Sequence, residues 1–196
     1  MSSHETSLPA GRPRGFVPED ALQAALVVFW RQGYEATSLT DLTAAMGLGR
    51  SSFYACFGSK HAVLMAAVRR YADEKFADFV AVTEAQPDPS AAVRAIIDAI
   101  ADPLGGDRGC LFVNSVTELA PHDPELVELA RTHIGRVASL VTALLIRMGF
   151  QPDLAERRTG ALLSGAVGAT MLRKAGMPAA AIVDLLAEAT VLLNHP

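Results

Sequence analysis

The segment TSLTDLTAAMGLGRSSFYACFGSK, residues 37–60, constrains the fold of this chain more than any other stretch. Leu39, Leu42 and Met46 recur at the spacing of one helical face, and Gly47 then supplies the kind of residue that ends a helix. A second short helix is predicted directly after this glycine turn. Two short helices joined in this way are typical of a helix-turn-helix unit.

The charge of the same region favours a polyanionic partner. No acidic residue occurs between Leu42 and Ala72, whereas Arg50 and Lys60 both lie there. The whole chain has a net charge of −4, but residues 1–75 carry eight basic and seven acidic side chains, and residues 76–196 carry nine and fourteen. The helix-turn-helix therefore lies in the less acidic part, as binding to the major groove of double-stranded DNA requires.

Several short motifs follow one another in a fixed order through the first third of the chain. They are Gly11-Arg12-Pro13-Arg14, Phe29, Gly33-Tyr34, Thr37-Ser38, Met46-Gly47-Leu48 and Tyr54-x-x-Phe57-Gly58-Ser59-Lys60. Together they resemble the DNA-binding domain of the TetR family of bacterial regulators, as far as about Tyr71. A shorter match, RGCLFVN at residues 108–114 and ELAP at 118–121, resembles the ligand domain of one TetR subgroup.

Helical periodicity along the rest of the chain predicts an all-α protein of about nine helices. The TetR resemblance implies an N-terminal three-helix helix-turn-helix domain, a C-terminal helix bundle and a homodimer. We therefore expect a flexible basic arm at residues 1–15, a DNA-binding domain at 16–59 and a ligand-binding and dimerisation bundle at 60–196. A long helix predicted from Lys60 to about Ala85 would contact both domains.

The resemblance also implies which residues would contact DNA. Arg50 has the geometry to bind guanine or a phosphate, and Tyr54 and Lys60 match family positions that usually contact phosphates. Alternating Arg, Gly and Pro at residues 11–15 suits a narrow minor groove, although a solvated tail is an equal alternative. The predicted set is Arg12, Arg14, Ser38, Thr40, Arg50, Ser51, Ser52, Tyr54 and Lys60. Ser38 and Ser51 could instead act only as helix caps.

Polar and apolar residues of the second half are candidates for an effector site. A helix predicted from Cys110 to Ala120 presents Asn114, whose amide needs a polar partner if it is buried. Cys110 lies at the start of that helix and is either a small core residue, which we favour, or a sensor thiol. The predicted ligand-binding set is Phe76, Phe79, Cys110, Asn114, Thr117 and Met171, of which the aromatic residues and the methionine could also be ordinary core.

The last two predicted helices, 154–175 and 178–194, carry the signal for dimerisation. Repeated glycine is costly in a helix, and the close approach of another helix is the natural reason for it. By resemblance, these two helices would pair with their symmetry mates, whereas the alternative is that both faces close the core of the monomer. The predicted interface is Gly160, Ser164, Gly165, Gly168, Val183, Leu186, Ala187 and Thr190.

Other classes of function find little support in the sequence. There is no phosphate-cradling glycine loop, nucleophile elbow or H-E-x-x-H helix, so we expect neither an enzyme nor a cofactor. His122, Asp123 and Glu125 suggest a metal cluster, but Asp123 is better explained as the cap of a helix that starts at Pro124, and no metal is expected. Two cysteines and an N-terminus without an apolar segment indicate a cytoplasmic protein that does not contact a membrane.

These observations predict a TetR-like transcriptional regulator, a repressor released from its operator DNA by a small-molecule effector. One alternative is a redox- or electrophile-sensing regulator that acts through Cys110. Another is a helical ligand-binding protein that never contacts DNA, and a bundle enzyme is a more distant possibility.

Overall fold

The computed structural model describes residues 17–194, which form nine α-helices and contain no β-strand. The helices are α1 (Pro18–Gln32), α2 (Leu39–Ala45), α3 (Arg50–Phe57), α4 (Lys60–Ala85), α5 (Pro89–Ala101), α6 (Leu111–Leu119), α7 (Pro124–Arg147), α8 (Pro152–Lys174) and α9 (Ala179–Ala189). Two short 3-10 turns, Ala120–His122 and Thr190–Leu193, follow α6 and α9. The predicted all-α class is confirmed.

Local signals in the sequence fix where most helices begin. Helices α1, α5, α7 and α8 each start with proline, whose fixed φ suits the first helical turn and whose missing N–H is not needed there. Asp88 caps α5 by accepting hydrogen bonds from the backbone N–H groups of Ser90 and Ala91. Asp123 caps α7 in the same way through the N–H of Leu126, as the sequence predicted.

Two helices have boundaries that differ from those predicted, one at its start and one at its end. Helix α6 begins at Leu111, and Cys110 is its extended N-cap residue, with φ −99° and ψ 127°. Helix α9 stops at Ala189, and the chain continues to Leu193 as a 3-10 turn. Apolar spacing does not distinguish an α-helix from a short 3-10 continuation, so the sequence could not locate these ends.

The helices enclose two apolar cores. The first combines α1, α2, α3 and the first half of α4, and it includes the fully buried Leu42, Phe53 and Val63. Leu111 of α6 and Leu126 of α7 belong to this same core, so the helix-turn-helix is completed by helices that come much later in the chain. The second core lies between the end of α4 and helices α5, α7, α8 and α9.

Helix α4 joins the two cores, as the sequence predicted. Its residues from Val63 to Ala72 pack in the first core, whereas Phe79 packs in the second. Helix α7 is long and apolar enough to cross a membrane by length and composition alone. In the structure, its Val141 and Leu145 are fully buried in the second core, which is the packing of a bundle helix.

The loop between α5 and α6 is held by one buried cation. Arg173 of α8 is 6 % exposed, donates a hydrogen bond to the carbonyl of Gly106, and lies 3.7 Å from a carboxylate oxygen of Asp102. Asp102 ends α5 in the left-handed region, with φ 45°. The end of α8 therefore determines where the chain enters α6.

We expect Asp88→Ala to lower the free energy of unfolding by about 1 kcal/mol, because two N–H groups at the start of α5 lose their acceptor. Urea denaturation followed by circular dichroism measures the change. Asp98→Ala on the exposed face of the same helix is the matched control and should not destabilise the protein. Equal losses in the two variants would contradict a capping role for Asp88.

Candidate DNA interface and its contact with the bundle

Helix α2 starts with a complete capping box. The Ser38 hydroxyl accepts a hydrogen bond from the Asp41 N–H at 3.1 Å, and the Ser38 N–H donates to the Asp41 carboxylate at 2.9 Å. The hydroxyl of Ser38 also lies 2.6 Å from that carboxylate, and these bonds hold the pKa of Asp41 below its ordinary value. Ser38 therefore has a capping role whether or not it also contacts DNA.

A glycine turn sets the direction of α3. Gly47 has φ 65°, a conformation that side chains other than glycine rarely adopt, and the N–H of Leu48 bonds the carbonyl of Thr43 across the turn at 2.9 Å. Phe53 then enters the first core completely, while the neighbouring Tyr54 remains 54 % exposed. This single buried ring fixes which face of α3 points outward.

The outward face of α3 carries the predicted DNA-reading residues. Arg50, Ser51, Ser52 and Tyr54 are all exposed, and α3 contains no acidic side chain. The Arg50 guanidinium lies 3.5 Å from the hydroxyl of Thr40, so it reaches across to α2. Arg12 and Arg14, predicted for the minor groove, lie outside the described residues.

Lys60 differs from these residues because it has internal partners. Its ammonium group donates to the carbonyl of Thr37 at 2.7 Å and lies 4.2 Å from the centre of the Tyr34 ring. Lys60 therefore connects the start of α4 with the loop that leads into α2. Its replacement would disturb this loop as well as any contact with a phosphate.

Glu118 of α6 connects the bundle to the helix-turn-helix. The two carboxylate oxygens accept hydrogen bonds from the backbone N–H groups of Tyr34, at 3.0 Å, and Glu35, at 2.8 Å. Gly33 leaves room for this contact, because a Cβ atom there would lie 3.0 Å from one of these oxygens. Sequence reasoning placed Glu118 in a family-like motif but missed this role, since its partners are more than eighty residues away.

Two further contacts cross the same boundary. The indole N–H of Trp30, near the end of α1, donates to the carbonyl of Gly109 at 3.1 Å. His61 lies 2.7 Å from the carboxylate of Asp123, the cap of α7. Burial acts to raise the pKa of Asp123, but hydrogen bonds from Leu126 and His61 outweigh burial and hold that pKa below its ordinary value.

A cleft of about 480 Å³ lies along this boundary. The end of α1 and the loop after it form one wall, and α6, the loop before α6 and the end of α8 form the other. The polar side chains that line the cleft include Arg31, Arg108, Asn114, Glu118 and Lys174. Asn114 accepts a hydrogen bond from Lys174 at 2.8 Å and donates one to the carbonyl of Arg108 at 2.9 Å.

The structure does not bring the six predicted ligand-binding residues together. Asn114 and Thr117 line the cleft, but the Thr117 hydroxyl bonds carbonyls of its own helix. Phe79 is buried in the second core, Phe76 packs against the Arg136 guanidinium, and Met171 is 43 % exposed. Phe76 and Phe79 thus both pack in or against the second core, whereas Met171 is partly at the surface, and the apolar cavity suggested for these three residues stays a prediction.

Cys110 packs beside the first core. Its sulfur lies 3.6 Å from the hydroxyl of Tyr71, and burial is the main cause that raises the pKa of that phenol. This placement is that of a small half-buried packing residue, as favoured from the sequence. Among residues 17–194, no group of three His, Cys, Asp or Glu side chains is placed to hold a metal ion.

The predicted dimer residues divide between two faces. Gly160, Ser164, Val183 and Ala187 are exposed, and a Cβ atom on Gly168 would meet nothing within 4 Å. Leu186, in contrast, is 3 % exposed and belongs to the core of its own bundle. Gly165 lies beside Ala189 of α9, whose Cβ is 3.9 Å from the position of a Cβ added at Gly165, so this glycine also borders the chain's own last helix.

Helices α2 and α3, joined by the turn at Gly47 and held by the buried Phe53, form a helix-turn-helix unit. Residues 21–67 match the family model of bacterial regulatory proteins of the tetR family. This stretch is therefore a DNA-binding domain of the tetR family type, and the resemblance seen in the sequence is confirmed.

Individual relatives agree with this assignment. The uncharacterized HTH-type transcriptional regulator YezE of Bacillus subtilis is 37 % identical over 120 residues, which cover 59 % of this chain and 61 % of YezE. The HTH-type transcriptional repressor ComR of Escherichia coli is 32 % identical over 130 residues, or 62 % of this chain and 60 % of ComR. The chain thus spans about three fifths of the length of these curated relatives.

A solved structure matches nearly the whole chain. It is a cysteine mutant of the TetR family transcriptional regulator CifR in complex with 26-base-pair double-strand operator DNA. The TM-score is 0.79 at 26 % identity, and the match covers 95 % of this chain and 100 % of the CifR chain. The similarity therefore extends through the bundle as well as the helix-turn-helix.

We expect Glu118→Ala to lower the free energy of unfolding by roughly 1 kcal/mol, because two backbone N–H groups lose a charged acceptor while water replaces part of it. Glu118→Gln keeps one acceptor oxygen and should lose less. Urea titration measures both variants.

The control is Glu128→Ala, which removes an exposed glutamate from α7 and should change the stability little. If Glu118→Ala were as stable as the control, the carboxylate would not hold the two domains together.

Proposed function

We propose that this protein is a cytoplasmic, DNA-binding transcriptional regulator that represses its target genes until a small molecule releases it. The observation that carries the proposal is the exposed, acid-free face of α3, fixed in place by the fully buried Phe53. The repressor ComR and the operator complex of CifR support it by similarity. Regulatory relatives give no support to an enzymatic activity, and we propose none.

Residues 16–59 and the N-terminal arm, residues 1–15, would form the DNA-reading domain. Arg50, Ser51, Ser52 and Tyr54 would face the major groove, with Arg50 bonding a guanine or a phosphate. Arg12 and Arg14 would enter the adjacent minor groove. Ser38, Thr40 and Lys60 would approach phosphates at the edges of this surface, in addition to the internal bonds that Ser38 and Lys60 make.

Residues 60–196 would bind the effector and form a homodimer. The exposed small residues of α8 and the exposed Val183 and Ala187 of α9 leave a face to which another helix pair could pack closely. A dimer places two recognition helices about 34–36 Å apart, one turn of DNA, and so reads a near-palindromic operator. Helix α4 contacts both cores, so a tilt of α4 would change this spacing.

The alternatives are less well supported. Cys110 packs beside the first core with its sulfur 3.6 Å from the Tyr71 hydroxyl, and these contacts support a packing role more than a sensor thiol. A helical protein that never contacts DNA would not need an exposed α3 free of acidic residues. Operator binding and its salt dependence separate the proposal from this second alternative.

The DNA-binding test begins by selecting bound fragments from a genomic library, which supplies the operator. Arg50→Ala should then weaken operator binding by about 1–3 kcal/mol. A loss confined to certain operators would show base reading, and a uniform loss with a salt slope lower by about 1 would show a phosphate contact. Fluorescence anisotropy at several salt concentrations distinguishes the two.

Arg94→Ala removes an exposed arginine from α5, far from the recognition surface, and serves as the control. It should leave the operator affinity unchanged. A wild-type protein that binds no fragment above its background affinity for random DNA would overturn the proposed function.

The dimer proposal predicts that Ser164→Arg converts a wild-type dimer to monomer, because a long charged side chain would be buried where two helices approach closely. Sedimentation velocity gives the oligomeric state. Ser139→Arg places the same side chain on the exposed face of α7 and should leave the dimer intact. A wild-type protein that sediments as a monomer at micromolar concentration would exclude this interface.

A further inference from the structure

We propose that the cleft between α1 and α6 is a binding site for a small organic anion with a planar ring, such as an aromatic carboxylate. The cleft has a volume of about 480 Å³, which lies within the range of about 300–1,000 Å³ that small-molecule sites occupy. That the anion would change DNA binding by the protein rests on the proposed regulatory function, whereas binding of the anion to the cleft does not.

The charge of the cleft selects an anion. Arg31, Arg108 and Lys174 line it, and within residues 17–194 none of these three forms an ion pair with a carboxylate. The acidic residues of the lining are Asp107 and Glu118. Both oxygens of Glu118 accept backbone hydrogen bonds, so this carboxylate keeps its charge but pairs with none of the three cations, and the three cations outnumber the two carboxylates of the lining by one.

Neutral groups of the protein position Lys174 and Arg108. Lys174 donates to the amide oxygen of Asn114, and the amide nitrogen of Asn114 bonds the carbonyl of Arg108. The side chain of Asn114 therefore positions the Lys174 ammonium without neutralising it and also holds the backbone of Arg108, whose guanidinium lies over the Trp30 ring. A carboxylate that entered the cleft would find these donors already placed, which lowers the entropic cost of binding.

The aromatic part of the lining favours a planar ligand. The ring of Trp30 is fixed by its hydrogen bond to Gly109 and lies 5.0 Å from the Arg108 guanidinium. Tyr34 is the other partly exposed ring of the lining, since Phe29 is only 2 % exposed and belongs to the first core. Flat apolar surfaces beside cationic donors match a ligand that combines a ring with an acidic group.

The cleft also lies where binding would affect the DNA-reading domain. Arg31 and Trp30 belong to α1, whereas Arg108 and Lys174 belong to the loop before α6 and to α8. An anion that contacts both walls binds with an affinity that depends on their separation. That dependence is the condition for a ligand to shift the position of one domain relative to the other.

The binding experiment uses the fluorescence of Trp30, the only tryptophan of the chain. The full-length protein is titrated with benzoate as the probe, at constant ionic strength. We expect a saturable change in Trp30 emission. Benzamide has the same ring but no charge and is the matched ligand control, with an affinity at least about tenfold lower, or about 1.4 kcal/mol.

Variants of the protein locate the site. Lys174→Gln should weaken benzoate binding about tenfold, because one charge-assisted hydrogen bond is lost. Arg94→Gln removes a cation from the exposed face of α5 and should leave the affinity unchanged. Circular dichroism checks that both variants are folded. Isothermal calorimetry of Arg108→Gln, whose lost side chain itself contacts Trp30, should show the same weakening without relying on fluorescence.

The outcomes separate the inference from the proposed function. No saturable change with benzoate, equal binding of benzamide, or unaltered binding by Lys174→Gln would overturn the anion site. Operator affinity is measured in parallel on the wild type without benzoate. If the operator binds and benzoate does not, only the anion site fails. If benzoate binds and no DNA fragment does, the anion site stands and the proposed function fails.

Discussion

The first apolar core is the constraint on which the rest of this structure depends, because the helix-turn-helix does not complete a core of its own. Phe53 and Leu42 are buried together with Leu111 of α6 and Leu126 of α7. Burying apolar side chains is the largest favourable contribution to folding, and α4 carries this core from α3, which packs on it, to α6, which packs on the same helix. The position of the recognition helix is therefore a property of both domains.

Polar contacts also connect the helix-turn-helix with the bundle along the boundary between them. Glu118 fixes the backbone at the end of α1, Trp30 fixes the loop before α6, and His61 reaches the cap of α7. These hydrogen bonds are exposed at Glu118 and partly buried at Trp30 and His61, and bonds of this kind are individually worth little. Such contacts can open without unfolding the apolar core, which suits the proposed movement of this boundary on ligand binding.

Helices α8 and α9 each have one face that the bundle does not bury. Helices α8 and α9 bury Leu162, Ile182 and Leu186 against their own bundle, yet the opposite face of α9 and the turn after it expose Val183 and Val191. A fold that buries one stripe of each helix leaves the other stripe exposed unless a second chain covers it. Small residues on α8, such as Gly160 and Ser164, keep this face flat enough for close approach.

Local chemistry makes much of this protein predictable from its sequence. The glycine turn at Gly47, the cap at Ser38 and the aspartate cap of α7 are set by neighbours within a few residues, and all three are found as expected. The family follows from motifs that occur in a fixed order along the chain, which need no knowledge of packing to be recognised. The class of the fold follows from helical periodicity, because a repeating apolar face is visible in the sequence itself.

Only the tertiary structure decided which polar groups meet. Glu118 and Tyr34 are separated by 84 residues, and Lys174 and Asn114 by 60, so no local pattern links them. Helical periodicity also shows that α9 has apolar stripes, but not which stripe faces the core of its own chain. For this reason the sequence predicts Leu186 at the dimer interface, although Leu186 lies in the core. The sequence determined the helices and their family, whereas the packing of distant helices decided the cleft, because side chains come together there only after the chain has folded.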